Sequence, residues 1–149
     1  MTKDAKPDAS FYDYEVNVAR RLPLYALVYH DCVVTSWNWR GANHRIDGGW
    51  REKDLLCMLF GSPPLWQLTP EIWRNKKDAL VKSYREVCGW LEKVAFDEMT
   101  DHHWLSPDHR VAMTSFSSGW SIAVNMSDRD FTFERGVVKA KSYLIWRTM

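Results

Sequence analysis

Apolar and polar positions alternate between two regimes along the chain. Leu22 to Val34, "LPLYALVYHDCVV", is a nearly unbroken apolar run without period-two alternation. Such a run fits a strand buried on both faces, as in a parallel sheet. Residues 35–51 then form a loop with glycines at 41, 48 and 49. "REKDLLCMLFG" reads as a helix stopped by Gly61, and "SPP" breaks the chain after it. "LWQL" is a short apolar run that suits another strand, and Thr69-Pro70 suits a helix cap with proline in the first turn. From Lys76 to about Met99, apolar residues recur at Leu80, Tyr84, Val87, Cys88, Leu91, Val94 and Ala95. These spacings of three and four predict one amphipathic helix, with Lys82, Arg85, Glu86 and Lys93 on its wet side. Past Pro107 the pattern shortens into β-prone runs, and "MTSFSSGWSIAVNMS" predicts a hairpin turning at Ser117-Ser118-Gly119. The expected organisation is an α/β part over residues 1–104 and a β part over 105–149.

Composition narrows the function. The 149 residues suffice for one domain with a core, and 46% apolar against 26% charged is an ordinary globular balance. Twenty basic and 19 acidic residues leave a net charge of +1, which gives no reason to expect nucleic acid as a partner. No apolar run is long enough to span a bilayer, so no membrane partner is expected, and the polar start "MTKDAKPDASFYDYE" shows no signal peptide. Cys32, Cys57 and Cys88 lie far apart in apolar contexts and read as buried free thiols. His102, His103 and His109 match no standard zinc spacing. No P-loop, GxGxxG or GxSxG motif appears, and no cofactor is expected.

Nine tryptophans are several times the usual share. An indole packs a core, and it also stacks on the apolar face of a sugar ring. Trp37 and Trp39 stand in the polar, glycine-bearing stretch "SWNWRGANHRIDGGW", so either role fits them. His30 and Asp31 end the apolar run just before them. In a regular strand these two side chains point to opposite faces. Polar residues at the C-terminal ends of barrel strands form active sites, and an Asp there accepts hydrogen bonds from sugar hydroxyls or serves as a catalytic carboxylate. The competing reading is a satisfied structural pair. Glycoside hydrolysis needs two carboxylates. None of Asp47, Glu52, Asp54, Glu71, Asp97, Glu98 and Asp101 stands at the end of a second recognisable strand, so no complete catalytic pair is visible.

The segment "RLPLYALVYHDCVVTSWNWRGANHRIDGGWREKDLLCMLFGSPPLW" resembles the late barrel region of glycoside hydrolases of families 101 and 129, the endo-α-N-acetylgalactosaminidases and related α-N-acetylgalactosaminidases. The matching pieces are "PLYALVYHDCVV" with its Trp-bearing loop, "WREKDLL" and "GSPP", and the tail "MTSFSSGWSIAVNMS" is similar to the β-domain that follows the barrel. The resemblance covers roughly residues 20–149. It implies an α/β portion holding the last βα units of a (β/α)₈ barrel, then part of a C-terminal antiparallel β-sandwich. It also implies a retaining enzyme acting on α-linked N-acetylgalactosamine of O-glycans, with an Asp nucleophile and a Glu acid/base. A whole barrel takes about 250 residues, so both would lie upstream of this chain, which would be inactive alone. Asp31 and His30 would then contact substrate, and Trp37 and Trp39 would shape the pocket rim. The expected partners are an O-linked glycan and the N-terminal barrel portion. The alternatives are a non-catalytic carbohydrate-binding or complementing module, and a self-contained α/β domain with its tryptophans in the core.

Overall fold

A computed structural model describes residues 22–36, 50–66 and 68–148. Trp37 and Trp39 lie outside the described residues. Among the described residues four α-helical segments precede six strands. Helix α1 is Leu24–Tyr29, α2 is Trp50–Leu59, α3 is Pro70–Ser83, and α4 is Gly89–Val94, joined to α3 through a π-helical turn at Tyr84–Cys88. The strands are β1 Met99–Trp104, β2 Val111–Phe116, β3 Trp120–Asn125, β4 Phe131–Phe133, β5 Gly136–Val138 and β6 Ser142–Arg147. An antiparallel sheet runs β1-β2-β3-β6, and β4 pairs with β5 in a separate hairpin.

Helix α2 forms the centre of the core. Leu55, Leu56, Met58, Leu59 and Phe60 are all buried, and so are Lys53 and Asp54. A helix apolar around most of its circumference must be covered on several sides. One cluster joins it to Val87, Trp90 and Val94 of the helical rod and to Ala112, Phe116, Ile122 and Val124 of the sheet. By strand alternation these sheet residues share one face. Trp146 lies on the other face, where it meets Phe133 of the small hairpin at 5.8 Å between ring centroids. The far side of α2 is tied to the β5–β6 connection: Arg51 Nε donates to the Lys141 carbonyl at 2.9 Å, Lys141 Nζ reaches Glu52 at 2.6 Å, and Arg51 pairs with Glu86 of the π turn.

Several local signals work as expected. Thr69 Oγ1 accepts the Ile72 amide at 3.2 Å with proline opening α3. Gly61 follows α2 with φ +63°, and Gly119 closes the β2–β3 turn with φ +85°. Both angles favour glycine because a Cβ strains there.

Other expectations need correction. Leu22–Val34 contains no strand; its central residues form α1. A parallel strand draws its backbone partners from neighbouring strands, and among the described residues every sheet pairing is antiparallel. The helix instead satisfies the backbone locally, with Leu27 N on Pro23 O at 2.9 Å and His30 N on Ala26 O at 3.0 Å. "LWQL" holds no strand in its described residues. The rod begins at Pro70 rather than Lys76 and ends at Val94, and Met99 already belongs to β1. Its buried stripe is Leu80, Ser83, Val87, Trp90 and Val94, while Tyr84 is exposed. Both stripes obey three-and-four spacing, and the sheet opposite decides between them by accepting Trp90. Cys57 is buried, but Cys88 is half-buried and Cys32 exposed; all three are free thiols.

Candidate functional site

The His30-Asp31 corner sits where three elements end. After α1 the chain turns, with Cys32 N and Val33 N both on the Tyr29 carbonyl. The His30 ring is buried between two backbone carbonyls: Nδ1 lies 2.7 Å from Asp97 O and Nε2 lies 3.0 Å from Gly61 O. Carbonyls only accept, so a ring nitrogen that carries hydrogen donates to the carbonyl it faces. Phe116 closes the site at 5.0 Å between ring centroids. The ring thus joins the end of α1, the end of α2 and the turn after α4. Asp97 extends this junction by accepting the Ser118 hydroxyl of the β2–β3 turn.

Asp31 has the opposite environment. It is exposed and accepts the Cys32 thiol on Oδ1 at 3.0 Å. That hydrogen bond to the carboxylate holds the Cys32 thiol above the ordinary thiol range. Asp31 lines an open depression of about 230 Å³ together with Val28, His30, Cys32, Glu98 and Thr100. Glu98 stands directly before β1, and its amide donates to Ser117 Oγ at 3.1 Å. In the sequence Glu98 ends no recognisable second strand. Only the short turn after α4 brings this carboxylate to the same depression as Asp31. The adjacent pair His30 and Asp31 therefore divides its work, one ring held by backbone and one carboxylate facing solvent.

His102 lies on β1. Nδ1 lies 3.0 Å from Thr114 Oγ1, Nε2 is buried without a hydrogen-bond partner, and the rings of Phe60 and Trp104 surround it. Burial, with nearby His103 adding to it, pushes its pKa down from 6.5 to about 4. Between these values the unfolded chain binds a proton that the folded chain refuses. The contribution is intact above pH 6.5 and is lost as the pH falls towards 4. Discounted for the ring's partial exposure, the loss is on the order of 2 kcal/mol. Urea denaturation at pH 7 and pH 4 should show His102→Gln losing less stability on acidification than the parent chain by about that amount. Parallel losses would refute the assignment. Among the described residues no group of three or more His, Cys, Asp or Glu side chains is placed to hold a metal ion, and no helix is long and apolar enough to cross a membrane.

The fold has counterparts among solved structures. The α-N-acetylgalactosaminidase NagBb from Bifidobacterium bifidum, as a quadruple mutant, superposes with a TM-score of 0.57 at 23% identity, over 85% of this chain and 17% of that one. The same enzyme in complex with GalNAc matches 98% of this chain and 20% of its own, at 21% identity and a TM-score of 0.54. At such identities the likeness shows the fold, and the chain spans about a fifth of the enzyme's length. No curated protein matches the chain. The sequence model of the glycosyl hydrolases related to the GH101 family, GH129, matches residues 3–115, from before α1 through all but the last residue of β2. That span takes in α1, the His30 junction, the helical rod and the first two strands, and over it this chain belongs to the GH129 glycosyl hydrolases.

Proposed function

We propose that this chain is the C-terminal part of a retaining glycoside hydrolase that acts on α-linked N-acetylgalactosamine of O-glycans, and that it is inactive alone. The family match over residues 3–115 carries the reading. Retention needs a nucleophilic carboxylate and a second carboxyl that serves first as acid and then as base, about 5 Å apart. Both are assigned to polypeptide beyond this chain, on the barrel that its relatives' extra length accommodates. Asp31 is the substrate contact here. Its exposed carboxylate accepts hydrogen bonds from sugar hydroxyls, and His30 positions it by pinning the preceding backbone between two carbonyls. Trp37 and Trp39 are assigned to the pocket rim, where an indole face stacks on a sugar ring.

Calorimetric titration of the chain with a peptide carrying GalNAc α-linked to serine tests this reading. Binding is expected without release of sugar, and Asp31→Asn should weaken it about tenfold, the value of one hydrogen bond to a charged group. Equal binding by the variant would remove Asp31 from the site. Turnover by the chain alone would contradict the assignment of both catalytic carboxyls elsewhere.

A further inference from the structure

The exposed apolar surface of the described residues is concentrated at one place. Of the twelve large apolar side chains exposed among the described residues, seven fall between Leu22 and Val34. Leu24, Val28 and Val34 are 66%, 63% and 70% exposed, and Tyr25, Tyr29 and Val33 stand beside them. A helix on a solvated surface normally turns polar residues outward. Helix α1 has no acidic residue in its first turn and no basic one in its last. It buries Ala26 and half-buries Leu27 inward, and leaves apolar side chains outward. An open apolar groove of about 410 Å³, lined in part by Leu22, Leu24, Tyr25 and Phe60, continues this surface. Clustered apolar surface depleted of charge marks the core of an interface.

We infer that this face is the seam against the remaining, barrel-bearing part of a family GH129 enzyme; the inference rests on the functional reading above. Two observations select that occupant over a second copy of the chain. In the solved enzymes of like fold about four-fifths of the polypeptide lies outside the part this chain matches, enough to cover such a face. The patch is also continuous with the Asp31 depression, since Val28 borders both. A barrel seated on α1 brings its carboxyl pair beside Asp31, where a glycosidase needs it.

The test uses the DNA directly upstream of Met1. The polypeptide encoded there is expressed with the whole chain in its native arrangement, and amide hydrogen exchange is followed over residues 24–34. At least tenfold greater protection than in the chain alone is expected. Leu24→Glu with Val28→Glu should abolish it while β2 and β3 keep theirs, which shows that the variant is folded. Unrelated upstream sequence, unchanged protection, or a homodimer that the double variant disrupts would overturn the inference. Release of sugar from an aryl α-N-acetylgalactosaminide separates the two readings. Protection without hydrolysis keeps the seam and removes the glycosidase function; hydrolysis without protection does the reverse.

Discussion

Trp90→Ala is expected to cost about 3–5 kcal/mol, the largest loss of any single substitution considered for this chain. Trp90 is 1% exposed and sits where the helical rod meets both α2 and the sheet. Its Nε1 donates to the Met58 carbonyl at 2.8 Å, and its ring meets Phe116 and Trp120 edge-on at 5.7 and 6.5 Å. Truncation removes the hydrogen bond, both aromatic contacts and the volume that fills the space where the rod meets α2 and the sheet. The surrounding side chains come from three elements, so the space cannot close by moving one of them. Trp90→Phe separates the contributions. It keeps much of the ring packing and loses the donor, and about 1–2 kcal/mol is expected. Urea midpoints at constant slope measure both. A loss below about 1.5 kcal/mol for the alanine variant would mean that the rod is not locked to the core through this indole.

Gly61→Ala should lose at least about 2 kcal/mol by two mechanisms that can be separated. The φ of +63° strains any residue with a Cβ, at roughly 1 kcal/mol. The added methyl would also lie 2.9 Å from His30 Cδ2 and closer still to Nε2. The ring must then leave its two carbonyls, and the junction of α1, α2 and the turn at Asp97 opens. A double-mutant cycle with His30→Ala isolates the second effect. In the His30→Ala background the glycine replacement should cost only the backbone strain, about 1 kcal/mol. Additive losses would show that the ring does not rest on Gly61. The same opening should displace Asp31, so Gly61→Ala is expected to weaken glycopeptide binding alongside Asp31→Asn.

The parts of this structure that were legible beforehand are those whose physics is local. The Thr69-Pro70 start, the Gly61 stop and the Ser117–Gly119 turn depend on a hydroxyl three residues from an amide, or on a backbone angle that glycine tolerates. The apolar mass of α2 needed no partner to be recognised as core. The place of Asp31 at the end of an apolar run was legible too, whereas the exposure of its carboxylate was not.

Three features were decided only by tertiary contact. A run such as "LYALVY" suits a two-sided strand and a short helix alike. Among the described residues no parallel strand stands beside it, and intrahelical carbonyls are what its amides find. Trp90, rather than Cys88 or Leu91, fills the core because the sheet face offers Phe116 and Trp120 to it, and spacing alone permitted either stripe. His30 and Asp31, adjacent in sequence and alike in polarity, were separated into a buried pin and an exposed carboxylate by Gly61 and Asp97, which lie 31 and 67 residues away. The sequence by itself therefore determined the caps, the turns and the family to which the chain belongs. The tertiary structure decided which polar groups are spent on holding the backbone and which remain for a ligand, because burial and hydrogen bonding are set by residues distant in the chain.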